Sequence, residues 1–190
     1  MNTSTPVQHS TIGRLVKKFL HTKAGAFVGY SLGLQGFNRI DVVITRANGK
    51  REMLRSFNSR TNAGAAVIAS LTAGSTLGGI SSPAAPKYLA VSSATLTPAA
   101  GDTTLASEIS TNGFARTAAT AGSYSAPGSL DGAASFTFTH TFTATGTQTV
   151  ASAALFDAAS TGNLYVEGNL SASATCNSGD TLAITWTINL

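Results

Sequence analysis

Cysteine is nearly missing from this chain. The single thiol, Cys176 among 190 residues, excludes an intrachain disulfide and any cysteine-based zinc site. Charged residues make up only 11% of the sequence, too few for the Glu/Lys-rich pattern of a coiled coil. No window approaches the ~18 consecutive apolar residues of a membrane span. The stretch 19–34, after Lys17 and Lys18, has a faint signal-peptide character, but Lys23 interrupts it and no good cleavage pattern follows, so the expectation is assembly in a cytoplasm. Three histidines (His9, His21, His140) and eight carboxylates, thinly spread, offer little material for a catalytic site.

What is abundant is small. Thr, Ser, Ala and Gly account for 99 of the 190 residues, and 43% hydrophobic content is enough to fill a core, which argues against a disordered chain. Many Thr and Ser in short apolar alternations suit stacked strands better than helices. The charge is unevenly placed. Residues 1–60 carry ten Lys or Arg against Asp41 and Glu52, a balance of +8, whereas the rest has only Lys87 and Arg116 against six acids, a balance of −4. A basic third joined to an acidic body points to docking on an anionic surface.

Residues 1–9 lack periodicity. Then Ile12, Leu15, Val16, Phe19 and Leu20 recur on one helical face behind Ser10 or Thr11 as N-cap, with Arg14, Lys17, Lys18 and His21 largely off it and Gly25 as a stop. Residues 1–25 therefore read as a basic, partly helical arm whose stripe packs on the chain's own body or a partner rather than on a membrane. Arg14, Lys17, Lys18, Phe19 and Lys23 are its candidate partner-binding residues.

Residues 26–190 read as the body. Strands are expected over 26–34 and 39–46, then a turn at Ala47-Asn48-Gly49-Lys50, where both central positions tolerate positive φ, and a returning strand over 51–57. The Ala-rich stretch near 62–72 reads as a short helix, and a strand follows over 87–91. Residues 98–108 carry turn chemistry with one helical turn capped by Asp102 or Thr103. The clearest strand is 135–145, with Phe136, Phe138, His140 and Phe142 on one face and Thr137, Thr139, Thr141 and Thr143 on the other. Strands over 149–156, 163–170 and 181–190 complete the series, the last placing Leu182, Ile184, Trp186 and Ile188 on one face. The fold class is all-β, or β-dominated α+β: a β-sandwich or jelly-roll-like body behind the arm.

Chemistry finds no foothold. His140, on a Phe-bearing strand face, reads as a core or interface histidine rather than a base. Asp102, Asp131, Asp157 and Asp180 sit singly among turn residues as Asx turns do, with no repeated calcium spacing. The Gly74 to Gly79 stretch lacks the Lys of a phosphate loop. Arg39, Arg46, Lys50, Arg51, Arg55 and Arg60 flank the Asn-Gly turn and read as a polar hairpin rather than a nucleic-acid surface. No enzyme activity, cofactor, metal, small-molecule substrate, nucleic acid or membrane is expected.

Several blocks together carry a resemblance. They are Tyr88-Leu-Ala-Val-Ser-Ser, Pro98 through Glu108, Arg116, Phe136-Thr-Phe-Thr, Ala153 through Gly162, and Asn177 through Ile188. In their order, across residues 56–190, the chain resembles a family of small structural proteins of tailed bacteriophage virions, described as head decoration (cement), minor tail or fibre-associated proteins. It departs from that pattern at Ser92-Ser93-Ala94, where a Gly-rich segment is usual. The resemblance implies a non-enzymatic virion protein. With the basic arm, it leads to the expectation of a capsid decoration protein, oligomeric, clamping the major capsid protein or other virion proteins. Tail, neck or fibre association, or a receptor- or glycan-binding module, is the alternative.

Overall fold

The computed structural model describes residues 37–73, 84–122, 124–125 and 134–189. The basic arm, its helix and the strand expected over 26–34 lie outside the described residues.

The chain folds as two antiparallel sheets. Strands β1 (Phe37–Thr45) and β2 (Arg51–Ser59) form a hairpin. Helix α1 (Asn62–Ala73) follows, then β3 (Tyr88–Ser92) and the two-residue strands β4 (Thr117–Ala118) and β5 (Thr120–Ala121). Strands β6 (Ser135–Thr143), β7 (Gln148–Phe156), β8 (Leu164–Cys176) and β9 (Thr181–Asn189) complete the fold. The first sheet runs β2-β1-β9-β6-β5 and the second β4-β3-β7-β8. The all-β reading is borne out.

The core follows from period-2 patterning. Ile40, Val42 and Ile44 of β1, Leu182, Ile184, Trp186 and Ile188 of β9, and Phe138 and Phe142 of β6 point inward from the first sheet. Leu89, Val91, Val150, Leu155 and Val166 meet them from the second, so both sheets contribute to one buried cluster.

The second sheet is buried on both faces, which is why Val150 through Asp157 is buried without interruption. Its outer face is covered by the connection between β3 and β4. Leu105 drops onto Ala90, Ala154, Phe156 and Leu164, small residues in two of those places leaving room for it. A row of polar side chains crosses the three strands in register, Ser92 opposite Ser152 opposite Asn169. Ser92 Oγ donates to the Ala106 carbonyl, Ser152 Oγ to that of Ala94, and the Asn169 amide both accepts from the Leu96 N–H (2.7 Å) and donates to its carbonyl (2.9 Å). These bonds satisfy side chains that would otherwise be buried without partners.

That connection corrects one expectation: there is no helical turn at 102–108. The Asp102 carboxylate accepts the Ala99 N–H upstream, and Ser107 adopts φ 51°, a left-handed conformation that no helix accommodates. The Asn48-Gly49 turn also differs in detail. Only Gly49 has positive φ (84°), with its N–H bonded to the Arg46 carbonyl and Arg46 N–H to that of Lys50. This is the longer hairpin loop ending in a left-handed glycine, not the two-residue turn.

Helix α1 is capped by Thr61, whose Oγ1 accepts the Gly64 N–H and donates to the Leu164 carbonyl, tying the helix start to β8. Gly64 lies so close to β8 that a Cβ there would stand 2.0 Å from the Tyr165 carbonyl oxygen.

Candidate partner-binding face

Among the described residues, no group of three or more His, Cys, Asp or Glu could hold a metal ion. Cys176 is buried, and that burial pushes its thiol pKa up, away from thiolate chemistry. His140 is half-buried, edge-on to Phe142 with ring centres 4.7 Å apart, and burial lowers its pKa despite a backbone bond at Ala118. Packed on Phe142, it has the surroundings expected of a core histidine.

The surface with a distinct chemistry is the outer face of the first sheet. Pairing register lays its side chains in cross-strand rows. One row runs Arg51, Thr45, Thr181, Thr143; the next Met53, Val43, Ala183, Thr141; the third Arg55, Asp41, Thr185, Thr139; the last Phe57, Arg39, Thr187, Thr137. Met53 is 67% exposed, and Arg51, Arg55, Thr141 and Thr143 are also exposed, while Thr187 at the far end is buried. Asp41 accepts ion pairs from both Arg39 (2.6 Å) and Arg55 (2.5 Å). One carboxylate against these two guanidiniums and that of Arg51 leaves the face cationic, set in a field of threonine hydroxyls.

At the adjoining end of the sandwich, the β1–β2 and β8–β9 turns frame an open groove lined by Arg46, Asn48, Lys50, Glu52, Thr175, Asn177, Ser178 and Asp180. Arg46 organises it, donating to the Thr175 carbonyl, to Asp180 (3.1 Å) and to Glu52 (3.1 Å). These bonds raise the Arg46 pKa, Glu52 foremost. Glu52 is held below its ordinary value by the same guanidinium. Asp180 is lowered first by the Asn177 N–H and then by that of Ala47.

Sequence reasoning named none of this face as the site. Its candidates, Arg14, Lys17, Lys18, Phe19 and Lys23, lie outside the described residues. The threonine rows were legible in the 135–145 alternation, but the shared Asp41 was not, because Arg39 and Arg55 reach it from different strands. The sequence count of +8 over residues 1–60 also treats Arg39, Arg46 and Arg55 as available charge, whereas the fold sets them against Asp41, Glu52 and Asp180.

Residues 65–187, from within α1 to within β9, match the family described as podophage GP4 fiber I protein gp80. The chain belongs to that family. It is thus a structural protein of the phage virion, as the sequence blocks implied, and the virion is where it resides. The family's description names a fibre and carries no statement about capsid decoration. No curated protein and no solved structure matches the chain.

Proposed function

We propose that this protein is a non-enzymatic, fibre-associated component of the virion, a rigid sandwich that is docked rather than reactive. The observation carrying this reading is the family match, which spans β3 to β8 complete together with most of α1 and β9. The cationic, threonine-lined face of the first sheet is its docking surface for an acidic neighbour in the particle, with Arg14, Lys17, Lys18, Phe19 and Lys23 of the N-terminal segment as a second point of attachment. Electrostatic complementarity of this kind sets register and the rate of encounter.

Capsid decoration is the second reading. It is favoured by the basic balance of residues 1–60, which suits an acidic lattice of major capsid protein. Separating heads from tails of disrupted particles, and calibrating the protein in each fraction against the major capsid protein, tests both. Recovery with tails at a few dozen copies or fewer supports the fibre reading. Recovery with heads at hundreds of copies overturns it in favour of decoration.

A further inference from the structure

We propose that the open edge of β2 takes up a strand from the acidic neighbour, an extended segment with an acidic, an apolar and an acidic residue at alternate positions, set beside Arg51, Met53 and Arg55. The proposal rests on the reading of this face as the docking surface and adds the partner's conformation and side-chain pattern. Strand β2 ends its sheet, and among the described residues it pairs with no strand but β1. The Arg46 N–H donates to the Lys50 carbonyl at 2.8 Å, which makes these two a bonded pair of the hairpin. Bonded and non-bonded pairs alternate along an antiparallel ladder. Ile44–Glu52 and Val42–Leu54 are therefore bonded pairs, and the backbone N–H and C=O groups of Arg51, Met53 and Arg55 turn away from β1.

The same three residues present exposed side chains on the outer face of the sheet. Among the described residues Arg51 enters no ion pair, and Arg55, although paired with Asp41, is 52% exposed. Alternate residues of a strand stand about 6–7 Å apart, and an added strand has the same spacing. It can thus set a carboxylate against each guanidinium and an apolar side chain against Met53, all of them stabilising cross-strand pairs. The pattern reads the same in both directions, so either strand polarity satisfies it.

The other sheet edges offer less. Strands β4 and β5 have two residues each, and beyond Leu170 the exposed residues of β8 are Ser171, Ala172, Ser173 and Thr175, small and uncharged. The chain does not supply the pattern to itself, because no two of its eight carboxylates lie four residues apart. Two copies of β2 paired about Met53 would set each Arg51 opposite the other's Arg55, a like-charge contact.

A fluorescein-labelled peptide, Thr-Ser-Glu-Thr-Val-Thr-Glu-Ser-Thr, titrated with the full chain and read by anisotropy, tests the proposal. It should bind saturably. N-methylation of its valine, which keeps the charge and removes the bond opposite Met53, should weaken binding at least about tenfold, as should moving one Glu by a single position onto the other face. On the protein, Met53→Pro removes no bond to β1 and should abolish binding, whereas Met53→Ala should cost only a few-fold. Arg51→Ser with Arg55→Ser should weaken binding about tenfold. Trp186 emission confirms that each variant is folded. The absence of saturable binding, or binding indifferent to both N-methylation and Met53→Pro, overturns the proposal, as does self-association that Met53→Pro abolishes, which would make a second copy the occupant. Loss confined to the arginine variants overturns strand addition and leaves the cationic face as a docking surface. The assay contains no particle, so its failure is separate from recovery of the protein with heads.

Discussion

The Arg116 guanidinium lies over the Phe156 ring, 3.5 Å from its centre. There it completes a set of contacts that no other side chain could make together. Nε and Nη2 bond the two Glu108 carboxylate oxygens at 2.8 and 2.6 Å, and Nη1 reaches the carbonyls of Ala158 and Thr161. The β3–β4 connection, the β7–β8 turn and the outer face of the second sheet therefore converge on one side chain.

Arg116→Ala should destabilise the protein by about 2–4 kcal/mol, since it removes a bidentate pair and a cation–π contact and leaves Glu108 without its partner. Arg116→Lys retains the charge but not the fork geometry and should lose about half as much. Urea denaturation of the two variants measures both.

Trp186→Ala should cost about 3–5 kcal/mol, because a fully buried indole on the central strand leaves a cavity. Among the described residues its Nε1 has no hydrogen-bond partner, so Trp186→Phe loses volume but no bond to them and should cost only about 1–2 kcal/mol. Since Trp186 is the only tryptophan, native emission should be blue-shifted and should report unfolding directly. A Trp186→Phe cost as large as that of the alanine variant would contradict this account.

Gly64→Ala should destabilise by about 2 kcal/mol or more, although alanine is the better helix former by about 1 kcal/mol. Backbone at 2.0 Å from the new Cβ cannot move aside without pushing α1 off β8. Gly49→Ala introduces strain from positive φ but meets nothing within 4 Å and should cost less. Thermal melts of the pair rank them.

The Asp180 carboxylate ties the two turns that frame the end groove. Its pKa lies below the ordinary 3.8, so its contribution is present above that value and is lost as pH falls through the lower folded value. Asp180→Asn should therefore lower stability at pH 6 and flatten the acid limb of a pH-stability profile. An unchanged acid limb would show that other carboxylates govern acid unfolding.

For docking, joint replacement of Arg14, Lys17 and Lys18 by Ser should weaken attachment to stripped particles without changing the melting temperature. Arg55→Ser with Arg51→Ser tests the sheet face in the same way. Attachment through charge weakens with salt over a Debye length of ~8 Å at physiological ionic strength. Co-sedimentation at low and high salt reads this out, and salt-independent binding would leave the Ile12–Leu20 stripe as the anchor.

Where the sequence carries large periodic contrast, the strands were legible: Phe138 and Phe142 against threonines, and Leu182 through Ile188 on β9, fall on the faces their spacing implies. The sequence pattern predicts this strand only to residue 170, yet β8 continues to Cys176. Its second half, Ser171-Ala-Ser-Ala-Thr, has too little difference between faces to announce itself, and its inward residues are only Ala174 and Cys176. The β3–β4 connection reads in sequence as a loop with a helical turn because what holds it lies elsewhere in the chain, in Ser152 and Asn169. The candidate face escaped for a related reason: a row such as Met53–Val43–Ala183–Thr141 exists only after strands from both ends of the described chain are placed side by side.

That same placement governs how the molecule must assemble. The β1–β2 hairpin is local and can close within ~1–10 μs, but the other edge of β1, at Ile40, Val42 and Ile44, finds its partner in β9, whose own other edge is taken by β6. Until β9 pairs, the hairpin presents an unpaired strand edge with an apolar side. Because contacts so distant in sequence must pass a large loop-closure barrier, refolding belongs to the millisecond-to-second regime of all-β domains. During that interval one chain's β1 can accept another chain's β9. Yield on refolding should therefore fall with protein concentration, and intermolecular strand exchange at β1 is the step at which copies become entangled.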